Sequence, residues 1–317
     1  MYENNIVNLN QKTIDFFYNA LGVIKKYLDD RNVTDIMLNP DGALWVDTFS
    51  DGQIKTGEHI EWEQAEQIIR LASGIKGKYF DEVNPSVATE LIGAGERFQG
   101  IMPPQSSYPI FTIRKKPSKI FSLKDYFDNN TLTLVQYDYL RKVILARKNI
   151  LIAGATGSGK TTFANAILKE IATLNLRIAI LEDTSELQSS SPNNYKFQTT
   201  EQVSMQRLLK DTLRMNIDSI VVGEVRGKEA LDLLKAWNTG HPGGVATIHS
   251  DSAIDALYRL EQLILEGSID CQRHLISKAI NVVVFLAKNQ LRQRFVQEIL
   301  EVQGLINPVT PYKIVKC

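Results

Sequence analysis

At 317 residues, 44% hydrophobic and 23% charged, the chain is long enough for roughly two domains with buried cores. Its 36 basic and 36 acidic residues cancel, which argues against a protein that grips a nucleic-acid backbone through bulk positive charge. Cys271 and Cys317 make no disulfide framework and fit a reducing, cytosolic setting; the longest apolar run, Val282–Ala287, is too short to span a bilayer, and the polar start Met1–Asn5 lacks the layout of a signal peptide.

Ile14, Phe17, Leu21, Ile24 and Leu28 recur at helical spacing and predict an amphipathic first helix, with Phe16, Phe17 and Tyr18 serving core packing. Val33–Leu38 and Ala43–Val46 flank Asn39-Pro40-Asp41-Gly42, a hairpin signal. A second helix is expected over Glu63–Ser73, with Ala65, Ile68, Ile69 and Ala72 on one face. Short antiparallel strands are expected over Ser86–Ile92, Glu96–Met102 and Ile110–Arg114, punctuated by Gly93-Ala94-Gly95 and Pro103-Pro104. Residues 1–118 thus read as a small α+β domain. The composition shifts at Lys115-Lys116-Pro117-Ser118-Lys119, and a linker is expected at 119–133, including the turn-rich Asp128-Asn129-Asn130.

Residues 134–317 alternate strand and helix patterns, the signature of an α/β domain with a mostly parallel sheet. Ile178–Leu181, Ser219–Val222 and Val245–Ile248 read as buried strands. Thr199 with Gln202 resembles a capping box opening a helix that carries Met205, Leu208, Leu209 and Leu213. Ala230, Leu233, Leu234 and Trp237 mark the next helix, and Ile254, Leu257, Leu260 and Ile264 another. Asn281–Ile299 reads as two antiparallel edge strands, broken near Lys288-Asn289-Gln290.

The chemistry centres on Gly154-Ala155-Thr156-Gly157-Ser158-Gly159-Lys160-Thr161, a G-x-x-x-x-G-K-T pattern between the apolar run Asn149–Ala153 and a helical segment. Strand, glycine loop and helix in that order make a phosphate-binding loop, a P-loop. The glycines let successive N–H groups turn inward toward phosphate oxygens, and the helix start adds its positive dipole end. Lys160 is placed to reach the β- and γ-phosphates of a nucleotide, and the Thr161 hydroxyl to ligate magnesium. The expected nucleotide-contacting set runs from Gly154 through Thr161 and includes Thr162.

In such sheets the ligand sits outside the carboxyl ends of the strands, and three strand ends are informative. The first carries Glu182 and Asp183, adjacent carboxylates suited to holding hydrated magnesium or activating water; a turn cap by Asp183 is the plainer alternative. The second is Val221-Val222-Gly223-Glu224-Val225-Arg226, in which Gly223 stands where an Asp is expected and Glu224 is the candidate to polarise the attacking water. The third ends in His249, a candidate donor to the γ-phosphate, whereas His241 before Pro242 reads as structural.

The order GATGSGKT, LEDTSEL, LRMNIDSIVVGEVRG and LLKAWNTGHPGGVATIHS resembles the secretion ATPase superfamily that powers type II and type IV machines. The LKAWNTGHPGGVATIH stretch is most similar to the TrbB-type conjugative transfer ATPases, as are VTDIMLNPDGALWVD and GERFQGIMPPQSSYPIFTIRK, so the likeness covers about residues 30–290. The resemblance implies a C-terminal RecA-like P-loop NTPase domain, ATP with Mg2+, and an Asp box and His box that map onto Glu182/Asp183 and His249. It also implies a homo-hexamer with ATP held between two domains and completed by N-terminal-domain arginines, here Arg97 and Arg114; Arg207, Arg214 and Arg226 are further candidates. One departure is Gly227, where many members of the wider superfamily have Asp. The implied function is an ATP-driven motor of conjugation or type IV secretion, cytoplasmic at the inner face of the membrane, partnered by inner-membrane channel proteins rather than by DNA directly. A type IV pilus or type II secretion assembly or retraction motor and a low-turnover nucleotide-binding scaffold are the alternatives.

Overall fold

The computed structural model describes residues 14–48, 51–75, 83–91, 95–115, 120–289, 293–306 and 312–316, and the chain divides into two units, Met1–Ser118 and Lys119–Cys317. In the first unit the apolar stripe of the opening segment forms two helices, α1 (residues 14–21) and α2 (Ile24–Asp29). They part at Gly22, whose φ of +53° suits a residue without a side chain. Their buried Phe17, Leu21, Ile24 and Leu28 share one core with Ile68, Ile69 and Ala72 of α3 (Trp62–Ile75). Phe17 meets Phe98 edge to face, whereas Phe16 points outward and is 64% exposed.

That core lies against a six-stranded antiparallel sheet: β1 (Val33–Leu38), β2 (Ala43–Thr48), β3 (Gly52–His59), β4 (Ser86–Glu90), β5 (Arg97–Ile101) and β6 (Ile110–Arg114), in the order β3-β2-β1-β6-β5-β4. β3 has no counterpart in the sequence reading. Its sequence GQIKTGEH lacks apolar alternation because it is an edge strand with no buried residue. The end of the expected strand Ser86–Ile92 and its Gly93-Ala94 turn lie outside the described residues, as do residues 116–119 and Cys317.

The second unit is an α/β fold on an eight-stranded mixed sheet. Its strands are β7 (Ile150–Gly154), β8 (Ile178–Glu182), β9 (Asn194–Gln198), β10 (Ser219–Val222), β11 (Val245–Ile248), β12 (Val282–Lys288), β13 (Arg294–Leu305) and β14 (Tyr312–Lys316). They run in the order β14-β13-β12-β7-β11-β10-β8-β9. From β12 to β9 every neighbouring pair is parallel; β13 and β14 are added antiparallel. Every residue of β7, β8, β10 and β11 is buried, as expected for parallel strands covered on both faces. One face packs against α7 (Met205–Thr212), α8 (Glu229–Asn238), α9 (Ala253–Leu265) and α10 (Arg273–Ala279). The other packs against α4 (Leu123–Asp128), α5 (Leu134–Leu145) and α6 (Lys160–Ile171).

Three sequence expectations need correction here. Residues 119–133 are not a free linker. α4 lies within them, opened by a Ser122–Asp125 capping box, and Leu123 and Leu132 are buried in the core that holds α6. The helix cap assigned to Thr199 and Gln202 belongs to Ser204, whose hydroxyl accepts from the Arg207 N–H at the start of α7. The β12–β13 pair is not an edge. β12 lies parallel beside β7, its Val282-Val283-Val284-Phe285-Leu286 run buried, and β14 forms the margin. Among the described residues no helix is long and apolar enough to cross a membrane.

The start of this sheet is pinned by buried Asn149. Its Oδ1 accepts from Gly244 N and its Nδ2 donates to Ala279 O, while Asn281 Oδ1 accepts from Asn149 N. Gly244 is required there by close approach: a Cβ would lie 2.1 Å from Trp237 Nε1, which itself donates to Ile220 O at 3.0 Å. Gly244→Ala is therefore expected to displace Trp237 and cost about 1–3 kcal/mol, lowering Tm by roughly 2–4 °C per kcal/mol. Thermal unfolding checks this, and an unchanged Tm would show that the Trp237 packing is not constraining.

Candidate nucleotide site

The carboxyl ends of β7, β8, β10 and β11 point the same way, so the residues that follow them gather at one edge of the sheet. β7 leads through the loop 155–159 into α6. Gly157 and Gly159 have φ of +72° and +93°, the left-handed region that an L side chain resists. A Cβ on Gly154 would lie 2.5 Å from Leu286 O and 2.6 Å from Ser158 Oγ. The loop is therefore drawn in against β12 and around its own serine.

Lys160 begins α6 and is only 7% exposed. Its ammonium donates to Gly154 O at 2.9 Å and Ala155 O at 3.1 Å, and lies 3.3 Å from His249 Nδ1. Desolvation lowers its pKa to about 8, a drop opposed by the Glu224 carboxylate and reinforced by Arg226. His249 follows β11, and its Nε2 lies 2.8 Å from Glu224 Oε1. Burial and the adjacent Lys160 push the imidazole pKa down. A neutral ring with its proton on Nε2 satisfies both contacts: it donates to Glu224 and accepts from Lys160 at Nδ1.

Glu224 is set by the backbone around it. Gly223 N donates to Leu181 O, Val225 N to Thr247 O, and the Thr247 hydroxyl to Gly223 O at 2.6 Å. These bonds hold the segment after β10 between β8 and β11. The other carboxylate oxygen of Glu224 accepts from Arg226 Nε at 2.8 Å and Nη2 at 2.5 Å, while Arg226 Nη1 reaches Asp183 Oδ2 at 3.2 Å. Gly223, which stands where an acid is expected, packs closely on Glu182: a Cβ there would lie 3.0 Å from its Cγ. At Gly227 the backbone N–H, like that of Arg226, donates to Glu229 Oε1, so a carboxylate is present two residues later.

The two adjacent acids after β8 have different surroundings. Glu182 is buried, and its Oε1 accepts from Glu186 N at 2.8 Å and Leu187 N at 2.7 Å. Burial raises its pKa, and those two N–H groups partly offset the rise. The turn cap considered for Asp183 is thus made by Glu182. Asp183 is exposed and bridges Arg226 to the Thr199 hydroxyl at 2.9 Å. Thr161 and Thr162 lie half-buried in the first turn of α6. Lys160, His249, Glu224, Arg226 and Asp183 therefore form one continuous contact chain.

The other arginines are elsewhere. Arg207 pairs with Asp211 within α7, and Arg214 follows that helix; neither joins the chain of contacts. Arg97 and Arg114 lie in the first unit, directly opposite one another on β5 and β6. Arg114 pairs with Asp35 Oδ1 at 2.7 Å. The sequence reading missed Thr199 as a partner of Asp183. No local spacing joins residues 183 and 199; only the β8–β9 register, with Glu182 opposite Gln198, does so.

With the loop, the strand-end acids and the histidine in place, comparison with known proteins decides the family. The family model described as "Type II/IV secretion system protein" matches residues 101–309. The chain belongs to the type II/IV secretion system protein family. It is 43% identical over 282 residues to the conjugal transfer protein TrbB of Rhizobium radiobacter, covering 88% of this chain and 87% of that one. Among solved structures its fold is similar to that of the Legionella pneumophila ATPase DotB, with TM-score 0.66, 18% identity, and 88% and 80% of the two chains covered. It is also similar to the pilus retraction motor PilT with bound ADP, with TM-score 0.60, 19% identity, and 93% and 81% covered. The family matches the one that the sequence motifs resemble.

The depressed Lys160 has a measurable consequence. Between about pH 8 and its ordinary 10.5 it is largely neutral in the folded chain, and an anion bound to its charged form draws the proton back. ATP binding at about pH 9 is expected to take up a proton, and at about pH 7 very little. Calorimetry in two buffers of different ionisation enthalpy reads this directly. Equal binding enthalpies in both buffers at the higher pH would contradict it.

Proposed function

We propose that this chain is the ATP-hydrolysing motor of a type IV secretion or conjugative DNA-transfer apparatus, working as a homo-hexameric ring in the cytoplasm at the inner face of the membrane. The observation that carries hydrolysis is the link Lys160–His249–Glu224, in which the phosphate-loop lysine is joined through one imidazole to a carboxylate on a neighbouring strand end. The assignment to conjugation follows the 43% identity to a relative named for conjugal transfer. The partners implied are inner-membrane channel proteins. The zero net charge favours them over direct DNA contact.

In this reading the polyphosphate accepts from the N–H groups of residues 155–162 and takes the place of the Gly154 and Ala155 carbonyls as partner of Lys160. Glu224 is placed to orient water for in-line attack on the γ-phosphate. His249 ties Glu224 to Lys160, so a change in what Lys160 holds is felt at the carboxylate. The donor set fits magnesium, which takes few protein oxygens and keeps its waters and phosphates. The Thr161 hydroxyl and the exposed Asp183 carboxylate would hold it, with Glu182, half committed to its turn, contributing less. When bound, the ion neutralises charge on the phosphates.

Arg97 and Arg114 are proposed to complete the site, from this or a neighbouring subunit. Lys160→Ala is expected to abolish ATP turnover while circular dichroism stays native; near-normal turnover would sink the ATPase reading. Arg97→Ala and Arg114→Ala are expected to lower kcat by about 10³-fold or more with ring size unchanged in sedimentation with ATP and magnesium. Normal hydrolysis by both variants would remove the two arginines from the site.

A further inference from the structure

Beyond the loop and the strand-end residues, one more element stands over the phosphate loop. β12 pairs with β7 in parallel register, Leu286 opposite Gly154, and then runs two residues past the end of β7 to Lys288. A strand that continues beyond its parallel neighbour must flank whatever follows that neighbour, and here that is the loop. The β12–β13 register puts Lys288 directly opposite Arg294, so both side chains rise from the same face. Just before them Phe285 pairs with Glu298 but Leu286 with Val296, a bulge at Gln297. Bulges increase local twist and re-aim the side chains beyond them.

Both cations reach the loop. Arg294 Nε donates to Gly157 O at 3.2 Å, and a Cβ on Gly159 would lie 3.2 Å from Arg294 Cδ. A Cβ on Gly157 would lie 3.0 Å from Lys288 Nζ. The hairpin is anchored from its far side, where Val296 N donates to Thr131 O and Gln136 Nε2 to Val296 O. The two cations are set against a loop whose N–H groups collect anions.

We propose that the β12–β13 hairpin is a further wall of the nucleotide site, in which Lys288 and Arg294 bind the polyphosphate from the Gly157–Gly159 side of the loop. Arg294 also braces the loop through the Gly157 carbonyl. The proposal rests on the reading of this loop as an ATP site. It adds two binding residues that the G-x-x-x-x-G-K-T pattern does not contain.

Both side chains are exposed, so their truncation leaves the core untouched. The test measures binding of ATP and of inorganic tripolyphosphate to the full chain, wild type and variants, together with KM and kcat. Lys288→Ala and Arg294→Ala are each expected to weaken both ligands on the order of 10-fold, the double variant further. KM should rise more than kcat falls, with recovery in Lys288→Arg and Arg294→Lys. If the wild type binds ATP and the double variant binds both ligands as tightly, the hairpin wall is overturned while the ATP site stands. Weakening of ATP with tripolyphosphate unchanged also overturns it, because the contact would then be to base or ribose. If the wild type binds neither ligand, it is the nucleotide reading itself that fails.

Discussion

The ammonium of Lys160 sits between two carbonyls of its own loop and one imidazole from a neighbouring strand. The rest of the second unit can be understood as what it takes to hold a charge there. The loop must curl back on β7, which places glycine at 154, 157 and 159. The ammonium must be largely removed from water, which costs it part of its proton affinity. A carboxylate must be near enough to support the charge without neutralising it by direct contact, and Glu224 meets this by acting through His249. Parallel strands make that assembly possible, because they deliver the ends of β7, β8, β10 and β11 to one edge.

Arg226 gives the edge a second level of control. It holds one oxygen of Glu224 and also reaches Asp183, so a single guanidinium joins the acids of two strand ends. Burial pushes Lys160 toward neutrality and Arg226 pushes it the same way, while Glu224 opposes both. Charge introduced by a polyphosphate would enter a balanced set and shift it as a whole.

Much of this was legible in the sequence because the informative signals are local. G-x-x-x-x-G-K-T, a buried strand and a helix are contiguous in the chain, and Glu182, Glu224 and His249 each end an apolar run. What stayed hidden depends on register or on a face. β3 is an edge strand without apolar alternation, and β9, at an edge of the eight-stranded sheet, alternates over only the five residues NYKFQ. α4 reads as linker from sequence because six residues are too few to show a helical period, even though Leu123, Tyr126 and Phe127 all make apolar contacts, and its neighbours are turn-rich. The tail was read as an edge because its antiparallel hairpin pattern says nothing of a parallel partner at β7, which lies about 130 residues earlier. Lys288 and Arg294 carry no motif, and only the offset of β12 past β7 brings them to the loop. The Thr199 contact to Asp183 was lost to a false capping box for the same reason.

In the proposed reaction the strand-end carboxylate at 224 orients the water for the nucleotide that the phosphate loop binds. The most direct measurement is the Glu224→Gln variant, assayed for ATP affinity and for steady-state turnover with magnesium. The amide keeps the volume and still accepts from His249 or Arg226, but it cannot serve as a base or carry the charge that orients water. Affinity is expected to be retained and kcat to fall by at least ~10²-fold. Turnover within a few-fold of wild type would contradict it and return the water-activating role to Glu182 or Asp183.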